Sequence, residues 1–300
     1  MRLSRLYLAS CWLAILLAAC APAPGRSTGL PRVLAAETFL RDIAQSVAGT
    51  RLVVDSLLPP GVDPHEYQPK PRDATRLAEA QVLIVNGLGY ESWLKKTLES
   101  LDGTRQVIVA AQGVPRVPIP TNAPADDPHL WMNPLNVIDY VKAIQVGLAQ
   151  ADPGGKDVYA ANAEAYIAKL KDLDAWVKTE VARIPPDRRL LVTNHDALGY
   201  FAHAYGFTLV GAVIPSVTAD AAPSARQIVE LIRAIDASGA RAIFLDLGEN
   251  QKLVDQISGE TQVKVVADLY VESLSDSTGP ASTYIDLIKH DTTVIVDALK

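Results

Sequence analysis

Residues 152–186 read DPGGKDVYAANAEAYIAKLKDLDAWVKTEVARIPP. Apolar side chains recur at Tyr159, Ala163, Tyr166, Leu170, Leu173, Val177, Val181 and Ile184. Steps of three and four put them on one stripe of a single helix. Asp152 is placed to cap it, Pro153 suits its first turn, and Pro185-Pro186 stops it. At 1.5 Å per residue, a run of about 30 residues is a rod of ~45 Å, enough to span the height of two lobes. So stiff a connector implies a small relative motion of the lobes rather than a wide swing.

On either side of this rod, short β-rich runs alternate with helical stretches. Before it lie 32–36, 51–58, 81–86 and 105–110, and after it 189–194, 207–214, 241–246 and 263–267. Nearly continuous apolar runs between helices predict parallel strands covered on both faces. The fold class is therefore α/β, with two similar lobes. Each is a small, mainly parallel sheet with helices on both faces, and one long rigid helix joins them. The boundaries read 31–151 for the first lobe, 152–184 for the helix and 185–300 for the second lobe.

With 300 residues, two lobes are the default. An apolar fraction of 49% supplies ample core and excludes general disorder. The net charge is −6, which excludes a basic nucleic-acid footprint. The two cysteines, Cys11 and Cys20, exclude a disulfide scaffold and a thiolate zinc site.

Residues 1–19 read as an export signal. Arg2 and Arg5 give the positive start, and Leu6–Leu17 is almost wholly apolar but too short to span a bilayer comfortably. Leu17-Ala18-Ala19-Cys20 looks like a bacterial lipobox, in which Cys20 becomes the lipidated first residue. Residues 20–30 then form the anchor and a flexible tether. Losing Arg2 and Arg5 from 28 basic residues against 34 acidic ones moves the net charge from −6 to −8. The expected location is extracytoplasmic, on a bacterial membrane.

The histidines carry the chemistry. His65 lies in Pro59-Pro60-Gly61-Val62-Asp63-Pro64-His65-Glu66-Tyr67, after the second predicted strand. His129 lies in Asp127-Pro128-His129-Leu130-Trp131-Met132-Asn133-Pro134, just before a helix, and His195 directly follows the 189–194 strand. Open α/β sheets bind ligands beyond the carboxyl ends of their strands. Two of these histidines follow Asp-Pro, where proline fixes the backbone ahead of the imidazole. Three such imidazoles point to a divalent metal. His203 and His290 fall in helical stretches and read as structural or surface residues. A carboxylate should complete the set. Asp268 and Glu272 in the loop after 263–267 are the main choices, and Glu66 and Glu249 are weaker ones.

At these residues the chain resembles the metal-binding solute-binding proteins of zinc and manganese ABC importers (solute-binding protein family 9, cluster A-I). The likeness covers nearly all of residues 30–300. Its markers are the Pro60–Tyr67 and Asp127–Pro134 stretches, Asn86-Gly87-Leu88-Gly89-Tyr90-Glu91, His195-Asp196-Ala197-Leu198-Gly199-Tyr200 and Gly279-Pro280-Ala281-Ser282-Thr283-Tyr284. The resemblance implies a metal held between two lobes, with His65 and His129 from the first and His195 from the second. It places Glu272 where the family usually carries Asp, one methylene shorter. It also implies a membrane permease as partner, and a monomeric carrier is the simplest expectation.

Three imidazoles and one carboxylate suit one tetrahedral Zn²⁺ per chain, with Mn²⁺ the alternative. A site filled by four protein ligands leaves no open position for activated water, so the expected role is capture and not catalysis. Affinity should fall below about pH 6 as imidazoles charge. A three-histidine zinc hydrolase using Glu66 as base is a rival, but Pro69 stands where a second motif histidine would be needed. A surface adhesin is a further rival that no sequence feature favours.

Overall fold

The structure is a computed structural model describing residues 29–65, 67–101, 103–118, 127–215, 223–246 and 251–300. The expected signal, Cys20, Glu66 and Glu249 lie outside the described residues. Residues Pro31–Lys300 form one compact unit.

The first sheet comprises β1 (Val33–Ala35), β2 (Val54–Ser56), β3 (Val82–Val85) and β4 (Gln106–Val109), in the order β2-β1-β3-β4. All its pairings are parallel, with Val33 opposite both Val54 and Val82, and Val82 opposite Gln106. The second comprises β5 (Leu190–His195), β6 (Thr208–Ile214), β7 (Ala242–Asp246) and β8 (Lys264–Leu269), ordered β6-β5-β7-β8 and again parallel. The same strand order is thus used twice. Each strand falls on one of the predicted runs. The differences are at ends: β5 includes His195, and β8 continues to Leu269.

Alternation along the strands divides each sheet between two layers. In the first, Leu34, Leu83 and Val85 pack with Leu77 of α2 (Pro71–Glu79) and Leu94 of α3 (Ser92–Glu99). Val33, Ala35, Val82 and Ile84 face the opposite way, toward α1 (Thr38–Ala48) and α4 (Pro134–Ala151). In the second sheet, Val192, Ile243 and Leu245 pack with α7 (Ala225–Ser238) and α8 (Gln251–Thr261). Leu191, Phe244 and Val266 turn toward the shared centre, beside α6 (Gly199–Tyr205) and α9 (Tyr284–Leu299).

The long helix is α5 (Lys156–Val181), whose 26 residues make a rod of ~39 Å. Every stripe residue read from the sequence is buried, from Tyr159 to Val181, with Ile184 buried just past its end. The stripe joins inward side chains of both sheets in one continuous core. The helix is shorter than expected because Pro153–Gly155 form a separate 3-10 turn ahead of it. Asp152 does not cap it. Its carboxylate takes Arg51 Nε and Nη2 at 2.6 and 2.9 Å and the Tyr159 hydroxyl at 2.6 Å. The intervening turn moves the helix start to Lys156, which leaves Asp152 too far ahead to cap it and free to bind Arg51 through both oxygens.

Candidate metal centre

Parallel strands bring all their carboxyl ends to one edge of a sheet. His65 lies in the loop after β2, His129 in the loop after β4, His195 at the last position of β5 and Glu272 just past β8. One ligand atom from each lies within 4.8 Å of every other. The side chains of His65, His129, His195 and Glu272 are all at most 2% exposed. His65 Nε2 is 3.4 Å from His129 Nε2. Glu272 Oε1 is 3.1 Å from His129 Nε2 and 3.0 Å from His195 Nε2, and Oε2 is 3.8 Å from His65 Nε2. A zinc tetrahedron with bonds of ~2.0–2.1 Å has edges of about 3.3 Å, so the donor set fits an ion of that size.

The other sequence choices point elsewhere. Asp268 is exposed beside His290, whose Nε2 meets the Asp268 carbonyl at 2.8 Å. Leu269 turns into the core, so its strand neighbour must turn out. His203 is exposed on α6.

Both Asp-Pro-His turns are stapled by their own aspartate. Asp63 Oδ1 accepts the His65 backbone N–H at 2.7 Å, and Asp127 Oδ1 accepts that of His129 at 2.9 Å. Asp127 Oδ1 also lies 2.7 Å from His129 Nδ1. That bond favours a proton on Nδ1 and leaves Nε2 as the nitrogen that faces the site. Asn86, at the end of β3, steadies the turn by donating Nδ2 to the Pro128 carbonyl at 3.1 Å. Next to it Gly87 has φ of +92°, and a Cβ there would come within 2.5 Å of Val109. Only glycine suits that corner.

Glu272 is held from both lobes. Asp246, at the end of β7, accepts the backbone N–H groups of Val271 and Glu272 at 2.8 and 3.2 Å. The first lobe grips the same segment residue by residue. Trp131 Nε1 donates to the Val271 carbonyl at 3.0 Å, and the Tyr90 hydroxyl donates to Glu272 Oε2. Gly61 N–H donates to Ser273 Oγ at 2.9 Å, and Leu274 N–H to Thr38 Oγ1 at 2.8 Å. Tyr90, Asp127 and Asp246 escaped the sequence reading as site residues. The Asp-Pro-His repeat held the signal for Asp127, whereas Tyr90 and Asp246 reach Glu272 only through the fold.

Burial alone would lower the His129 imidazole, but the Glu272 and Asp127 carboxylates outweigh it and push the pKa up to about 10. Burial alone would raise the Glu272 carboxyl, yet His129 and the imidazole hydrogen bonds hold it well below the usual carboxylate range. Burial, then the Glu272 and Glu37 charges, keep the Tyr90 phenol protonated and so a donor. Without a cation, His129 and Glu272 thus form an ion pair. Around it Glu37, Glu91, Asp127 and Asp246 are also buried. Burial pushes Glu37 and Asp246 well up and Glu91 up to about 7, toward their neutral forms, so the negative charge offered to a cation is chiefly that of Glu272.

Residues 33–298 match the family model described as zinc-uptake complex component A periplasmic (ZnuA). The chain is 36% identical over 260 residues to the iron-binding protein YfeA of Yersinia pestis, covering 86% of this chain and 82% of that one. It is 27% identical over 296 residues to the manganese ABC transporter substrate-binding lipoprotein PsaA of Streptococcus pneumoniae, covering 95% of each. Among solved structures, the periplasmic zinc binding protein TroA of Treponema pallidum superposes with a TM-score of 0.84 at 29% identity, over 90% of this chain and 99% of that one. The matches are to binding components of uptake systems and not to enzymes. The chain belongs to the zinc-uptake complex component A periplasmic family, as a substrate-binding protein.

Proposed function

We propose that this protein captures a divalent transition-metal ion outside the cytoplasmic membrane and hands it to the permease of an ABC importer, with zinc as the cargo. One observation carries the reading. Three imidazole nitrogens and one carboxylate converge from four strand-end positions in two sheets to within 4.8 Å. His65, His129, His195 and Glu272 are the proposed ligands of one ion per chain. Their nitrogen-rich set favours Zn²⁺, which also outcompetes Mn²⁺ at most nitrogen and oxygen sites. Manganese is the second reading, favoured by likeness to PsaA, a protein named for that metal.

The lipid anchor on Cys20, the signal at 1–19, the tether at 20–30 and a monomeric state complete the proposal. So do the lobe boundaries at 31–151 and 185–300, with 152–184 as the connector. Names of relatives such as PsaA support a lipoprotein working with a permease. The core shared along α5 supports a small closing motion.

The test is metal content by mass spectrometry. Protein stripped with chelator is offered Zn²⁺ and Mn²⁺ together, with Fe²⁺ in an anaerobic arm, alongside His195→Ala and Glu272→Ala. One Zn²⁺ per chain, lost in His195→Ala, is the expected outcome. Mn²⁺ retained against equimolar Zn²⁺ would change the cargo but leave the carrier standing. No bound metal under any condition would end the proposal.

A further inference from the structure

We propose that the Tyr90 hydroxyl is a specificity determinant of this centre: by occupying Glu272 Oε2 it makes Glu272 grip the cargo through Oε1 alone. The inference rests on the reading of His65, His129, His195 and Glu272 as cargo ligands. A carboxylate can hold a divalent ion with one oxygen or with both. One oxygen beside three imidazoles gives four-coordination, which suits Zn²⁺. Both oxygens give five or more contacts and a greater oxygen share, which suits Mn²⁺.

Glu272 presents its two oxygens unequally. Oε1 stands 3.0 and 3.1 Å from the His195 and His129 nitrogens, within the donor cluster. Oε2 accepts the Tyr90 hydroxyl and stands farther from its imidazole neighbour, 3.8 Å from His65 Nε2. A phenol proton on Oε2 draws charge from that oxygen and leaves Oε1 the better donor.

Tyr90 is poorly placed to yield. It is 1% exposed. Its ring meets those of His65 and Trp131 with centroids 4.9 Å apart in each case, and that of Phe39 at 6.5 Å. The hydroxyl is therefore a fixed fixture of the first lobe aimed at a ligand of the second. Glu272, one methylene longer than aspartate, places its carboxylate within reach of that hydroxyl. Tyr90 acts through Glu272 and is a positioning residue.

Co²⁺ is the probe, because its visible absorption is strong when four-coordinate and weak when five- or six-coordinate. The purified protein, Tyr90→Phe, Glu272→Asp and the double variant are each loaded with Co²⁺. Each is also offered Zn²⁺ and Mn²⁺ in competition, and thermal melting checks that each is folded. The proposal expects an intense Co²⁺ spectrum in the parent protein that weakens several-fold in Tyr90→Phe. It also expects the preference for Zn²⁺ over Mn²⁺ to fall about tenfold, as for loss of a ligand's outer partner. In the Glu272→Asp background, removing the hydroxyl should change neither.

A weak spectrum in the parent protein would overturn the proposal. So would an unchanged spectrum and selectivity in Tyr90→Phe, or an equal loss of affinity for both metals, which would make Tyr90 only a wall. A Tyr90→Phe effect of the same size in both backgrounds would show that Glu272 does not carry it. Parent protein and His195→Ala giving the same spectrum would instead remove the centre itself, which separates that failure from the failure of the Tyr90 assignment.

Discussion

The first lobe uses Asp-Pro-His twice, at Asp63-Pro64-His65 and Asp127-Pro128-His129, and the two turns are not equivalent. The second is self-braced: Asp127 holds both the backbone N–H and the ring Nδ1 of His129. The first borrows its support. Asp63 reaches only as far as the His65 backbone N–H, Trp93 Nε1 donates to the Pro64 carbonyl at 3.0 Å, and Gly61 is tied across to Ser273 of the other lobe. Identical sequence thus gives one imidazole fixed through its ring by its own aspartate and one held through its backbone, with a single tie to the other lobe.

The largest expected effect concerns the self-braced ligand. In the metal-free protein the raised His129 pKa favours folding fully below the ordinary imidazole value of ~6.5, and that contribution is lost as pH rises through about 10. The lowered Glu272 pKa contributes above its ordinary value and is lost as pH falls through the lowered one. A metal must displace the His129 proton, so affinity should climb about tenfold per pH unit for each proton released, well above pH 7. Chelator-competition titrations at pH 7 and pH 9 should differ by about a hundredfold. The decline expected below pH 6 from histidine content alone thus begins at higher pH, and a flat profile between 7 and 9 would break the His129–Glu272 pairing.

Next comes Asp127→Asn, which keeps the backbone staple but removes the charge that fixes the His129 tautomer. Metal affinity should fall ~10–100-fold by calorimetry. Ser273→Ala then probes the borrowed support. Losing about 1 kcal/mol of hydrogen bonding should speed metal release roughly fivefold in stopped-flow chelation. The smallest effect belongs to Asp63→Asn, where the amide oxygen can still accept the His65 N–H, and affinity should hold within about threefold. If Asp63→Asn matched Asp127→Asn, the two turns would be equivalent after all.

The contrast also explains what could be read from sequence. The strands and the α5 stripe were legible because periodic burial leaves a periodic sequence. The three histidines were legible because strand ends and Asp-Pro steps are local features. The residues alone left Asp268 and Glu272 level and only the family resemblance favoured Glu272, whereas the alternation along β8 turns Asp268 outward beside His290. Tyr90 is 182 residues from the carboxylate it binds, and no local pattern encodes such a meeting. Asp152 misled because a capping position and an ion-pair position look alike until Arg51 is folded beside it.

Val271 to Leu274 meet the first lobe through four consecutive residues, each with its own bond. Bonds strung in a row break one after another, as a zip opens, whereas the same bonds spread over a face must break together. A pull at one end of this short strip therefore meets its bonds in turn, and on the proposed carrier reading the rate at which Glu272 is freed depends on whether anything pulls there.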